Sequence, residues 1–225
     1  MSPSLNHFIR RWVCLLPVLA LTLLCGSCDG FFVSNSSIQS IALSSSGVLL
    51  RAATSSAAGD SYTFSATATT VGGTTEDVTS SAKWTSGTPA TATVSAGTVT
   101  AVATTGGQTS VITVSDGGQS ATANVLTYTG TAPTSLTVST TSFVSGATVA
   151  TGTYQLHAYL GSSTTDVTNY VTWSTSDSTA ATISSSGVLT VISVSTEVSV
   201  TITATATMGE SVSTSPTGTL TFTAE

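Results

Sequence analysis

This sequence is short of charge, and above all of positive charge. Its basic residues are Arg10, Arg11, Arg51 and Lys83. No basic stripe can be assembled from so few, so nucleic acid is not an expected partner. The acidic residues number 10 and are scattered, which reads as a solubility charge and not as a binding stripe. Cysteine is confined to Cys14, Cys25 and Cys28, and histidine to His7 and His157. An ordinary zinc site is thereby excluded, and no metal or cofactor is expected. G-x-S-x-G, P-loop, G-x-G-x-x-G and H-E-x-x-H patterns are all missing, so no catalytic residue is assigned and the chain reads as a non-enzyme. Strong helix formers such as Glu, Lys, Gln and Arg are scarce. Hydrophobic residues nevertheless reach 40%, which argues against disorder. What fills the chain is Thr, Ser, Val and Ala, and the β-branched members favour strands.

The N-terminus has its own pattern. Arg10-Arg11 precede an apolar run from Trp12 to Leu24, a length that suits a signal-peptide core of about 7–15 residues and falls short of the roughly 20 that span a bilayer. Leu24-Cys25-Gly26-Ser27-Cys28-Asp29 then resembles a bacterial lipobox. The resemblance implies cleavage before Cys28 and lipidation of that cysteine by acyl chains such as palmitate. Gly26 and Ser27 supply the small residues before the cut; Cys25 departs from the pattern and is the second candidate. An ordinary secretory signal and a retained anchor are the alternatives. From Cys28 onward two basic residues face ten acidic ones, a net charge of −8, and no disulfide is available there.

The remainder repeats itself. Asp77-Val78-Thr79 with Trp84 returns as Asp166-Val167-Thr168 with Trp173, both 89 residues on. Ala92-Thr93-Val94 returns as Ala181-Thr182-Ile183, and Gly97 answers to Gly187. That period exceeds the roughly 20–50 residues of solenoid repeats and suits whole small domains. Alternation with period two dominates: Val198, Val200, Ile202, Ala204 and Ala206 share one face, as do Ala121, Ala123 and Val125. Asp116-Gly117-Gly118 signals a hairpin, and Val71-Gly72-Gly73 and Met208-Gly209-Glu210 read as similar turns. The expected fold is all-β: two tandem immunoglobulin-like β-sandwiches after an N-terminal signal peptide. Residues 1–27 are the signal peptide, 28–37 a tether, 38–129 the first domain, 130–133 a linker and 134–225 the second. Trp84 and Trp173 recur at equivalent positions and are expected in the core, each on the middle strand of a run.

The repeated residues resemble the bacterial Ig-like domain family, group 2. The first copy is Asp77-Val78-Thr79, Trp84, Ser86, Ala92, Val94, Gly97 and Val99; the second is Asp166-Val167-Thr168, Trp173, Thr175, Ala181, Ile183, Gly187 and Leu189. The pattern is irregular at Thr88-Pro89 and Ala96-Gly97, and its opening is stretched near Arg51. The resemblance implies a surface or periplasmic module of the kind that spaces out adhesins and carbohydrate-active enzymes.

Three further features are weighed. His157 lies in an alternating strand opposite Leu156 and reads as solvent-facing. Asp77 with Glu76 invites calcium, but calcium takes six to eight oxygens and the second copy offers Asp166 alone; a turn cap on backbone N–H groups fits better. Tyr159 and Tyr170 are the candidate sugar-stacking aromatics. The expectation is a lipid-anchored protein of the bacterial cell envelope, at the outer membrane or cell surface in preference to the inner membrane. Its role is adhesion or spacing, with a surface polysaccharide or protein as candidate partner. A carbohydrate-binding module and a structural subunit of a surface assembly are the alternatives.

Overall fold

A computed structural model describes residues 36–161, 163–192 and 194–225. The signal peptide, Cys25, Cys28 and most of the tether lie outside the described residues. Residues Ile38–Glu225 form one compact unit. It is all-β, with ten strands before the segment at 130–133 and nine after it. The first ten are β1 (Ile38–Leu43), β2 (Gly47–Arg51), β3 (Ser61–Thr63), β4 (Ala66–Thr70), β5 (Thr75–Asp77), β6 (Lys83–Ser86), β7 (Ala92–Ser95), β8 (Thr98–Ala101), β9 (Thr109–Asp116) and β10 (Gln119–Tyr128). The rest are β11 (Leu136–Ser139), β12 (Thr148–Val149), β13 (Gly152–Gln155), β14 (His157–Leu160), β15 (Val171–Thr175), β16 (Ala181–Ile183), β17 (Val188–Val191), β18 (Val198–Ala206) and β19 (Thr217–Ala224).

The two halves follow one plan. A four-stranded sheet ordered β2-β10-β9-β6 in the first half matches β12-β19-β18-β15 in the second. In each, the outermost pair is parallel and the others antiparallel. Smaller sheets β1-β4-β5 and β3-β8-β7 close the first half, and β11-β14 and β13-β17-β16 the second. No named sheet takes strands from both halves. The inward faces meet as sandwich faces do: Phe64, Val99, Ile112 and Val125 are sealed in the first half, and Leu156, Leu189, Ile202 and Phe222 in the second.

The period-two readings place these strands well. In β18, Val200, Ile202, Ala204 and Ala206 are buried and the Thr residues between them are not, with Val198 half-buried at the strand's start. The Asp116–Gln119 hairpin closes through Gly117 and Gly118, whose φ angles of 53° and 82° match a two-residue turn. Two expectations are corrected. Both Trp strands, β6 and β15, lie at a sheet edge and not in the middle. Both indoles are accordingly half-buried: each packs its ring on the core while its N–H reaches a loop carbonyl. Met208-Gly209-Glu210 lies in the connection between β18 and β19 and leads into the turn expected there, in which the Val212 N–H donates to the Gly209 carbonyl at 3.0 Å. It is docked on the first half.

Candidate functional site

The repeated motif builds the same clasp twice. Asp77 Oδ1 accepts the Thr79 N–H at 2.8 Å, and Asp166 Oδ1 accepts the Thr168 N–H at 2.8 Å. The threonine hydroxyls accept backbone N–H groups from the facing strands, Ala66 to Thr79 at 2.8 Å and Ala158 to Thr168 at 3.0 Å. The threonine carbonyls accept the indole N–H groups, Trp84 at 2.8 Å and Trp173 at 3.1 Å. Val78 and Val167, between Asp and Thr, point into the cores. Gly97 and Gly187 close the clasp: their carbonyls accept the N–H of Phe64 at 3.0 Å and of Leu156 at 2.8 Å. The D-V-T…W…G pattern therefore ties together strands of all three sheets in each half, and each of its members has a structural task.

Asp77 and Asp166 are turn caps. Glu76 is next to Asp77 on a strand, where neighbouring side chains leave on opposite faces. Among the described residues no three acidic, histidine or cysteine side chains cluster in a way that could hold a metal ion. The Asp77 carboxyl is held below its ordinary 3.8 by the Thr79 side chain and N–H. At Asp166, burial pushes upward, and Thr168 together with His157 outweighs it, so the net shift is again downward. Asp177 is lowered by the Thr179 hydroxyl and N–H. A carboxyl lowered in the folded state contributes stability above its unfolded pKa and loses it as pH falls through the folded value. Thermal melts should therefore hold a level Tm down to about pH 4 and fall below it. Asp166→Asn, which keeps the acceptor but not the charge, should flatten that fall.

His157, half-exposed, donates its Nδ1–H to Asp166 Oδ2 at 2.9 Å and stacks on Tyr159 with ring centres 6.1 Å apart. The histidine of the second half is thus tied to its clasp. Tyr170 packs at the meeting of the two halves, where a Cβ on Gly47 would lie 2.8 Å from the Tyr170 Cα. Its half-buried ring packs against the core of the second half.

The join between the halves is the feature that sequence reasoning missed. Strand β2 reads Gly-Val-Leu-Leu-Arg, and its first four residues are all buried. Val48 and Leu50 face the first core, while Leu49 enters the core of the second half with Leu126 and Tyr128. The Leu49 N–H donates to the Thr207 carbonyl at 2.9 Å, and the Gly209 N–H donates to the Leu49 carbonyl at 3.0 Å. Residues 207–209 thus extend the sheet edge of the first half. Glu210 N–H donates to the Ser61 carbonyl at 2.8 Å, and the Asn124 amide donates to the Asn169 carbonyl at 3.1 Å. Beneath this join Asp60, 3% exposed, pairs with Arg51 at 3.1 Å. Burial, then the Asp60 carboxylate, pushes the Tyr128 phenol upward. The unbroken apolar run Val48-Leu49-Leu50 was the available signal: a strand buried on both faces does not alternate.

Fold and clasps together define an all-β chain built twice on one plan. No family model and no curated protein matches it. Solved structures that match include the surface layer protein SbsC, domains 4–9, at 19% identity and TM-score 0.34. The match covers 84% of this chain and 31% of that one. SbsC domains 5–6 match at 20% identity and TM-score 0.34, covering 82% of this chain and 97% of the other. Human protocadherin-24 EC1-2 matches at 12% identity and TM-score 0.28, over 68% and 86%.

Proposed function

We propose that this chain is a non-enzymatic lipoprotein of the bacterial cell envelope, made of two Ig-like modules of the group 2 bacterial kind. Lipid at Cys28 holds it at the outer membrane or cell surface, and its role is adhesion or the spacing of other envelope components. The observation that carries this reading is the join. Two halves that share main-chain hydrogen bonds and a buried leucine move as one body, and stiffness is what a spacer needs. The repeated motif supports it too, since its residues are engaged in holding the sheets together.

The anchor is tested at its cysteine. Each buried CH₂ contributes about 0.8 kcal/mol, and two acyl chains suffice for stable attachment. Cys28→Ser should release the protein from the membrane fraction, and Cys25→Ser should leave it there. Release by Cys25→Ser alone would move the cleavage site. Retention of both variants would remove the lipoprotein reading.

A further inference from the structure

The two halves are copies of one framework, so what one has and the other lacks is not required by the framework. Strand registers fix the comparison. Leu50 pairs with Thr127 where Val149 pairs with Ala224, which sets Arg51 against Ala150. Tyr62 pairs with Val99 where Tyr154 pairs with Leu189, which sets Tyr62 against Tyr154. Ten residues separate Arg51 from Tyr62, and three separate Ala150 from Tyr154. The first half therefore carries seven extra residues here, and the second half folds the same way without them.

The extra loop encloses space. Thr54 N–H donates to the Ala57 carbonyl at 2.8 Å and Ala57 N–H to the Thr54 hydroxyl at 3.0 Å, which curls the loop on itself. Between this curl and the loop and linker residues Thr104, Thr129 and Gly130 is an open pocket of about 530 Å³. That volume falls in the range of small-ligand sites. Arg51 lines it, and it is the one arginine among the described residues. Asp60 fixes the arginine from behind: its Oδ1 accepts Nη2 at 3.1 Å and its Oδ2 accepts the Arg51 backbone N–H at 3.3 Å. Asp60 is buried while the Arg51 side chain is 50% exposed. A guanidinium carries five N–H donors in a planar fork that matches a carboxylate. Around it the pocket offers the hydroxyls of Thr54, Ser55, Thr104 and Thr129, and no aromatic ring or second charge. A positioned cation ringed by hydroxyls recognises an anion that itself carries hydroxyls.

We propose that this pocket binds the carboxylate of an acidic saccharide, a uronic-acid unit of a surface or environmental polymer. The site goes beyond anchoring and spacing, and it stands whether or not Cys28 carries lipid.

The full-length chain in detergent is titrated by calorimetry with a galacturonate oligosaccharide, the neutral galactose oligosaccharide and acetate. Backbone amide NMR locates the response. The acidic oligosaccharide is expected to bind with a Kd of about 1 mM or tighter, shifting residues 51–58, 104 and 129–130. Both controls should bind at least about tenfold more weakly. Arg51→Ala should abolish binding. Since that variant leaves Asp60 buried without its partner, Ala57→Phe is the second test: it fills the pocket and leaves the ion pair alone, and it should abolish binding with Tm unchanged. No binding by the unaltered chain overturns the proposal, as does equal binding of either control. Retention of binding in either variant, or NMR shifts elsewhere, also overturns it.

Discussion

Leu49→Asp should make the two halves melt in separate transitions, where the unaltered chain is expected to melt in one. Leu49 is fully buried, yet it belongs to the first half and packs in the core of the second. The cation on that face of the strand, Arg51, is already held by Asp60, and burying a further carboxylate there costs several kcal/mol. Opening the join is the cheaper response, because each half keeps its own sheets. The open form loses the hydrogen bonds of Leu49 to Thr207 and Gly209, and that of Glu210 to Ser61. Calorimetry should then show two smaller transitions, and small-angle scattering a larger radius of gyration. Leu49→Ala keeps the site dry and should cost about 2–5 kcal/mol without opening it. A Leu49→Asp variant that melts in one step at an unchanged Tm would mean that the halves are coupled elsewhere.

Gly187→Ala should be nearly as damaging, for a different reason. Gly187 has φ +78°, and a Cβ there would sit 2.5 Å from the Leu156 carbonyl oxygen and 2.9 Å from the Thr168 Cγ2. The Leu156 oxygen is backbone and cannot swing aside, so the clasp must spread. The Leu156 N–H loses the Gly187 carbonyl, and Thr168 is driven off the position that holds Ala158 N–H and Trp173 Nε1. We expect a loss of about 3–4 kcal/mol, in the range of strain combined with a broken network. Gly107→Ala is the control: its φ is +76° and nothing lies within 4 Å of the added atom. It bears the left-handed backbone cost alone, about 1–2 kcal/mol. Urea denaturation of the two variants separates these contributions. Equal losses would show that the crowding at Gly187 relaxes freely.

What the sequence displayed was local. The alternation in β18 and the Asp116-Gly117-Gly118 turn depend on neighbours a few residues away, so they could be read from spacing. The turn capping by Asp77 and Asp166 was readable for the same reason, since each aspartate bonds to the residue two ahead. The motif's unity was not readable, because Gly187 acts on Leu156 and Thr168 through space. The turn after Met208-Gly209 was readable, but its docking on the first half was not, because it depends on Leu49 and Ser61 far back along the chain. The edge placement of Trp84 and Trp173 depends on sheet order, which alternation does not encode. The stretched opening near Arg51 was visible as a departure from the pattern. That it encloses a pocket depends on Thr104 and Thr129, which are distant in sequence and are brought beside it by the fold.

The parallel pairing of outer strands has a mechanical meaning. Strand β2 lies along β10 over five residue pairs, Gly47 to Arg51, whereas β12 lies along β19 over two, Thr148 and Val149. A load drawn along the chain pulls the two members of each parallel pair in opposite directions, along their length. The bonds of such a pair resist together, and none can be peeled first. The first half, with the longer pairing, is the firmer clamp. Under tension the second half should yield first and lengthen the chain, while the Arg51 pocket keeps its shape.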